Sequence, residues 1–111
     1  MRFGTQHGKR ARRRSKMTPE SKVKTQVKRI LDDNQVYYFM PPGMGLGRGG
    51  IPDIIACVNG HFLGIECKAG KGKTTALQDR ELAAIRAAGG TAVTINEDSL
   101  HTIKVIVDAF R

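Results

Sequence analysis

The sequence predicts a single α/β domain whose elements follow the order αβββαβα, with helices flanking a sheet. Three observations lead to this prediction. Apolar residues recur at helical spacing near the start, two apolar runs flank an Asn-Gly pair in the middle, and helical and strand-like segments alternate afterwards. The 111 residues have the length of one domain, which can bury a modest core.

The first helix is expected to begin near Thr18-Pro19. Threonine is a favoured N-cap, and proline suits the first helical position because an N–H there would have no helical partner. Four apolar residues then recur at helical spacing and form one face: Val23, Val27, Ile30 and Leu31. A strand is predicted at residues 36–40 and a loop at residues 41–50, whose glycines and prolines break both helix and strand.

A β-hairpin is predicted next, since residues 53–58 and 61–68 flank Asn59-Gly60. This dipeptide favours a two-residue hairpin turn. A second helix is expected from about residue 75 to residue 88, where glycines end it, and a strand at residues 91–95. Asn96 is expected to cap a last helix, whose inner side carries Leu100, Ile103, Val107 and Phe110.

The basic residues are concentrated at the N-terminus. Residues 1–16, here called the basic arm, hold seven of the 19 basic residues and no acidic one. Residues 17–111 are therefore close to neutral and form the predicted folded domain. The arm has no hydrophobic periodicity, so it is expected to be disordered in the free protein and to bind nucleic-acid phosphates. A solubility tail or a cloning remnant is the alternative.

The apolar segments indicate an intracellular, cytoplasmic protein without a membrane partner. No apolar run has the length of a membrane span, and the N-terminus lacks the apolar stretch of a secretory signal. Cys57 and Cys67 both lie in apolar runs, where a buried free thiol is commoner than a disulfide.

The hairpin turn fixes which residues face each other. With a two-residue turn, Val58 faces His61, and counting back along both strands places Asp53 opposite Glu66. Facing residues point to the same side with Cβ atoms roughly 4.5–5.5 Å apart. Strand alternation puts Lys68 on that side too. A bulge near Gly64 would shift this register by one residue.

Two facing carboxylates repel each other, and a divalent cation between them removes the repulsion. Carboxylate, carbonyl and water oxygens suit Mg²⁺ or Mn²⁺. The ammonium of Lys68 would then orient an attacking water or stabilise charge on a phosphate. The alternative is a surface salt bridge of Lys68 with Asp53 or Glu66, since exposed ion pairs are common and weak.

Two further polar residues are expected to point inward. Glu20 shares the face of Val23 and Val27 in the first helical turn, although it would also stabilise the helix dipole there. Gln78 shares the face of Leu82, although it also fits the capping box that begins at Thr75. One glutamine is able to serve both purposes.

The motif Ile51-Pro52-Asp53, followed after twelve residues by Glu66-Cys67-Lys68, resembles the PD-(D/E)xK nuclease superfamily. The glycine-rich approach to Asp53, the Asn-Gly hairpin and the LQxxEL helix are similar to its virus-type replication-repair branch, the VRR-NUC domain. The resemblance runs from about residue 17 to residue 109. It implies a restriction-endonuclease-like core with a central mixed sheet flanked by helices.

The resemblance also implies roles for the site residues. Asp53, Glu66 and the main-chain carbonyl of Cys67 would hold the metal ion, with Glu20 assisting directly or through water. Lys68 would position and activate the water, and Gln78 would be the auxiliary polar residue of the second helix.

Stand-alone members of this branch resemble homodimers that cut branched DNA, including four-way junctions, in replication, recombination or repair. The expected DNA contacts come from the basic arm, the loop and the segment after Lys68, through Arg10, Arg12, Arg13, Arg14, Arg48, Lys71 and Lys73.

No nucleotide cofactor is expected. Gly72-Lys73-Thr74 is similar to the end of a P-loop, but the position that needs the first glycine is Cys67. Two rival functions remain open: a non-catalytic basic nucleic-acid-binding protein and a sequence-specific restriction-type endonuclease. A pure binder would show no metal dependence, and a chain this short has little room for base-reading elements.

Overall fold

The computed structural model describes residues 17–42 and 48–111, so the predictions for the basic arm, including its four arginine contacts, lie outside the described residues. The predicted order αβββαβα is confirmed. The elements are α1 (Pro19–Asp33), β1 (Tyr37–Phe39), β2 (Ile54–Val58), β3 (His61–Cys67), α2 (Ala76–Ala87), β4 (Thr91–Ile95) and α3 (His101–Ala109). Across the described ranges, no helix has both the length and the apolar character needed to cross a membrane.

The four strands form one mixed sheet in the order β1-β2-β3-β4. The first three strands are antiparallel neighbours, while β4 pairs with β3 in parallel after the α2 connection. The predicted hairpin register is confirmed: Val58 faces His61, and the pairing continues without a bulge to Ile54 and Ile65. The turn needs two residues with positive φ, which Asn59 at 50° and Gly60 at 85° supply.

One face of the sheet packs against α1 and α3 to form the hydrophobic core. Alternate residues of β2 and β3 point into it together with the predicted inner faces of the two helices; the core includes Val23, Val27, Leu31, Ile54, Ala56, Val58, Leu63, Ile65, Cys67, Ile95, Ile103 and Val107. Cys67 is buried and free, as expected. Cys57 is also free, but its expected burial is wrong, because this residue points to the opposite face of β2 and is exposed.

The helix α2 lies on the other face of the sheet, close to β3. A Cβ atom at Gly64 would lie 2.7 Å from Ile85 Cδ1 and 3.3 Å from Pro52 Cγ. Glycine at this position therefore lets α2 and the segment before β2 approach β3 closely, and both carry residues of the candidate site.

The helix starts are set by local hydrogen bonds. The predicted cap of α1 is present, since Thr18 Oγ1 accepts a hydrogen bond from the N–H of Ser21 at 3.1 Å. The predicted cap of α3 is wrong: Asn96 Oδ1 accepts from the N–H of Asp98 at 2.8 Å, which closes a turn directly after β4. The helix α3 begins only at His101. A polar residue that closes its own turn is not available to cap a later helix.

Candidate active site

Three carboxylates from separate elements meet at one end of the sheet. Glu20 lies in the first turn of α1, Asp53 directly precedes β2, and Glu66 is the penultimate residue of β3. One oxygen of each lies within 4.8 Å of the others. The structure therefore brings together the three acidic residues that the sequence singled out, and we call them the carboxylate cluster.

Glu66 is the buried member of the carboxylate cluster, with 2% of its surface exposed. Its Oε2 accepts a hydrogen bond from Gln78 Nε2 at 3.0 Å and lies 3.6 Å from Lys68 Nζ. Its Oε1 is buried without a hydrogen-bond partner among the described residues. Burial, together with the negative charge of Asp53, raises the pKa of Glu66 from 4.5 to about 7. A buried oxygen without a partner is costly, and a bound cation would satisfy it.

Asp53 reaches from the start of β2 to β3. Its Oδ2 accepts a hydrogen bond from the main-chain N–H of Cys67 at 2.9 Å, and its Oδ1 lies 3.6 Å from Lys24 Nζ. In an extended strand the N–H and C=O of one residue point towards the same neighbour. We therefore expect the main-chain carbonyl of Cys67 to lie on the Asp53 side of β3, where the resemblance requires it.

The thiol of Cys67 is a poor metal ligand in this position. Its side chain belongs to the hydrophobic core on the opposite face from Glu66. Burial, reinforced by the negative charges of Asp53 and Glu66, raises the pKa of the Cys67 thiol to about 12. The thiol therefore stays protonated at neutral pH, whereas metal binding requires the thiolate.

Gln78 makes a hydrogen bond at the helix cap and another to the carboxylate cluster. Its Oε1 accepts a hydrogen bond from the main-chain N–H of Thr75 at 2.9 Å, which completes the capping box of α2. Its Nε2 donates to Glu66 Oε2. The same side chain thus closes the start of α2 and fixes the orientation of the buried carboxylate.

Two lysines face the carboxylate cluster, and the sequence pointed to only one of them. Lys68 is 13% exposed and lies beside Glu66. Lys24, which was not predicted, lies beside Asp53 with 29% of its side chain exposed. The available signal was its position four residues after Glu20, which places both on one face of α1.

The residues of this end of the sheet fit a hard divalent cation. They offer carboxylate oxygens from three elements, one of them buried and without a partner, and a nearby main-chain carbonyl. Oxygen donors of this kind suit Mg²⁺ and Mn²⁺ better than zinc or copper. A cation here, beside a half-buried ammonium group, is an arrangement able to activate water and to bind phosphate.

The candidate DNA contacts outside the basic arm differ in their surroundings. Lys71 and Lys73 are exposed in the segment between β3 and α2. Arg48 Nε lies 2.9 Å from Glu81 Oε2, so this arginine is paired with a buried carboxylate of α2 while most of its side chain stays exposed. Glu81 itself was not predicted as a site residue.

Comparisons with known proteins point in one direction. No protein-family model matches the chain. "Putative nuclease p44" of Acyrthosiphon pisum secondary endosymbiont phage 1 is 37% identical over 68 residues, which are 60% of this chain and 69% of that protein. A solved structure described as "VRR_NUC domain" has a TM-score of 0.66 at 18% identity and covers 86% of this chain and 100% of its own. Another, "VRR_NUC domain protein", has a TM-score of 0.60 at 26% identity, covering 82% and 87%.

Proposed function

The chain belongs to the VRR-NUC nuclease family, and we propose that it is a metal-dependent endonuclease that hydrolyses phosphodiester bonds in DNA. The observation that carries the proposal is the buried Glu66 oxygen without a partner, which lies within a cluster of three carboxylates. A non-catalytic binding protein would gain nothing from such a costly arrangement, since phosphate contacts need only exposed cations.

The metal-binding residues would be Asp53, Glu66 and the main-chain carbonyl of Cys67, with Glu20 contributing directly or through a water molecule. Mg²⁺ or Mn²⁺ bound there would lower the pKa of a water molecule and neutralise charge on the phosphate. Asp53 is already oriented by the Cys67 N–H, and Glu66 is oriented by Gln78. Little side-chain ordering therefore remains to be done when the metal binds.

Lys68 is the residue that would handle the attacking water. Its ammonium is held at the edge of the site by Glu66, and the main-chain N–H of Lys68 donates to Ile95 O at 2.9 Å. The backbone of Lys68 is thus fixed by the sheet, and its side chain points to the carboxylate cluster. From there it would orient water for in-line attack on phosphorus and stabilise charge on the non-bridging oxygens, while the sugar oxygen leaves.

Branched DNA, such as the four-way junctions formed in recombination and repair, is the substrate that we propose. The family resemblance is one support for it. The exposed Lys71 and Lys73 beside the site are a second, because they fit phosphates of any sequence. A sequence-specific restriction-type enzyme is the less favoured alternative, since the described elements are all used to build the core and the site.

A homodimer would place two such sites on opposite strands of one substrate, and an exposed apolar face supports it. Tyr37, Cys57 and Phe62 form one row across β1, β2 and β3, and Phe39 is their neighbour on β1. Tyr37 is 72% exposed and Phe62 is 46% exposed. We call these four residues the apolar sheet face. The lack of charge in these four side chains suits a protein contact rather than a phosphate contact.

The decisive experiment is cleavage of labelled four-way-junction, flap, linear duplex and single-stranded DNA with Mg²⁺, Mn²⁺ or EDTA. The wild-type protein is compared with Lys68→Ala and Asp53→Ala, and with the matched controls Lys104→Ala and Asp98→Ala, which change exposed residues that are not members of the cluster. We expect metal-dependent cutting of the junction that only the first two substitutions abolish. Tight binding without cutting under any metal condition would leave a basic binding protein instead.

A further inference from the structure

We propose that Lys24 is a second substrate-binding cation of this site, which neutralises Asp53 before the metal ion binds and contacts the substrate phosphate afterwards. This role rests on the proposed nuclease function. It adds one residue to the site and states the order in which that residue contacts Asp53 and the phosphate. It concerns a lysine of α1 that the nuclease motif does not include.

The geometry of α1 brings Lys24 to the site. Glu20 and Lys24 are separated by four residues, so they lie one above the other on the same helical face. Glu20 belongs to the carboxylate cluster, and Lys24 Nζ lies 3.6 Å from Asp53 Oδ1. The helix therefore supplies one negative and one positive group to the same end of the sheet.

The two lysines have equivalent relationships to the two strand carboxylates. Lys24 Nζ lies 3.6 Å from an oxygen of Asp53, and Lys68 Nζ lies 3.6 Å from an oxygen of Glu66. Carboxylates this close together repel one another unless cations are near. In the metal-free protein, the two ammonium groups are the described cations that reduce this repulsion.

Asp53 has one oxygen that accepts no hydrogen bond among the described residues and is the more accessible to a metal ion, and it is the oxygen that Lys24 contacts. Its Oδ2 is occupied by the hydrogen bond from the Cys67 N–H, whereas Oδ1 faces Lys24 at an ion-pair distance. A metal ion at the cluster and the ammonium of Lys24 therefore compete for Oδ1. Both groups of the pair are partly exposed, so the ion pair is weak and the ammonium is readily displaced.

Charge balance indicates where the displaced ammonium goes. The ionised cluster carries three negative charges, and the two lysines carry two positive charges. A divalent cation changes the sum to one positive charge, which a phosphodiester group with its single negative charge would balance. Lys24 and Lys68 would then hold the phosphate from two sides, because Lys24 approaches the cluster from α1 and Lys68 from the residue directly after β3.

The first test is metal affinity without DNA. Calorimetric titration with Mn²⁺ is carried out on the wild-type protein, Lys24→Gln and the control Lys28→Gln, which removes the same charge one helical turn further along α1. We expect Lys24→Gln to bind Mn²⁺ about twofold to fivefold more tightly, as the loss of a weak competing ion pair implies. Lys28→Gln should change the affinity less. Unchanged or weaker Mn²⁺ binding in Lys24→Gln would overturn the competition between Lys24 and the metal ion for Asp53.

The second test separates substrate binding from metal binding. With saturating Mn²⁺, we expect Lys24→Gln to raise KM for the preferred DNA by about tenfold, the effect of one lost charge-assisted phosphate contact. Lys24→Arg should restore most of this loss, and Lys28→Gln should stay near the wild-type value. Equal KM values for Lys24→Gln and Lys28→Gln would overturn the role in substrate binding.

The outcomes also separate this inference from the nuclease proposal. If the wild-type protein cleaves no DNA with any metal, the nuclease proposal fails and the substrate role of Lys24 fails with it. If the wild-type protein cleaves but Lys24→Gln leaves both Mn²⁺ affinity and KM unchanged, only the role of Lys24 fails. Thermal unfolding in EDTA is measured first and shows whether each variant is folded.

Discussion

Gln78 joins Glu66 to the start of α2: its Nε2 donates to Glu66 Oε2 at 3.0 Å, while its Oε1 accepts from the N–H of Thr75 at 2.9 Å. The amide thus uses one end for the helix cap and the other for the site. This division allows the structural contribution of the cap to be separated from the contribution to catalysis.

The capping box of α2 can be disrupted by substituting either Thr75 or Gln78. Thr75→Ala deletes the hydroxyl that accepts from the Gln78 N–H, and it should lower the free energy of unfolding by about 1 kcal/mol. The contact of Gln78 with Glu66 should survive, so most cleavage activity should be retained. Gln78→Ala should lower stability by a similar amount and should also lower kcat at least tenfold. Urea unfolding and steady-state cleavage of both variants make the comparison; equal activity in the two would show that Gln78 matters only as a cap.

The buried carboxylate makes the stability of the metal-free protein depend on pH. Because the pKa of Glu66 is raised from 4.5 to about 7, the folded protein holds a proton there that the unfolded chain has released. The contribution of Glu66 to the free energy of unfolding should therefore be largest below pH 4.5. It should fall between pH 4.5 and 7, by about 3 kcal/mol in total.

Urea unfolding in EDTA at pH 5 and pH 8 measures this change, and Glu66→Gln is its control. In the glutamine variant the free energy of unfolding should fall much less between pH 5 and pH 8, because this variant never carries the buried charge. Saturating Mn²⁺ at pH 8 should restore the wild-type stability but have a smaller effect on Glu66→Gln. A wild-type protein that becomes more stable on going from pH 5 to pH 8 in EDTA would contradict this account of Glu66.

The segment after Lys68 is held at Gly70, whose carbonyl accepts a hydrogen bond from Asn96 Nδ2 at 3.3 Å and whose N–H donates to an exposed carboxylate. Both oxygens of Glu97 lie 3.0 Å from the N–H of Gly70, and this hydrogen bond lowers the pKa of Glu97. Gly70 has a φ of 55°, a conformation suited to glycine. The contact keeps Lys71 and Lys73 beside the site.

Glu97→Ala should release this segment without disturbing the carboxylate cluster. We expect faster trypsin cleavage after Lys71 and Lys73, together with a several-fold rise in KM for DNA and little change in kcat. Asp98→Ala, which removes the neighbouring exposed carboxylate, should behave as the wild type. The same trypsin rates in both variants would show that Glu97 does not hold the segment.

The apolar sheet face gives the proposed homodimer a direct test. Phe62→Asp places a charge at the β3 end of its row, and it should convert a dimer into a monomer in sedimentation velocity. Val105→Asp is the matched control, because Val105 is 61% exposed on α3, outside this face. Metal affinity should be unchanged in both variants. A wild-type protein that sediments as a monomer at all concentrations would exclude this interface.

The hairpin made most of the site predictable. Asn59-Gly60 fixes a two-residue turn, which sets a register observed as far as Ile54 and Ile65. The carboxylates of Asp53 and Glu66, one position further along, lie close together. Helical spacing then gave the inward direction of Glu20. These inferences succeeded because each depends on a local period and on one strongly specified turn.

The features that the sequence did not predict depend on how distant elements pack, or on which of two nearby turns a polar side chain closes. Strand alternation separates Cys57 from its buried neighbours, but it does not reveal which faces the helices leave uncovered. The approach of Lys24 to Asp53 depends on how α1 crosses the end of the sheet, which its own sequence does not determine. Asn96 has the composition of a cap, yet its side chain closes a nearer turn.

Gly64 has a consequence for how the sequences of relatives can vary. A methyl group at this position would lie 2.7 Å from Ile85 Cδ1, so the Ile85 side chain would have to move within α2, the helix that carries the amide that holds Glu66. Enlarging residue 64 is therefore best accommodated when residue 85 becomes smaller at the same time. These two positions should vary as a pair in evolution, with their combined volume conserved, and in the laboratory Ile85→Val should be recovered as a suppressor of Gly64→Ala.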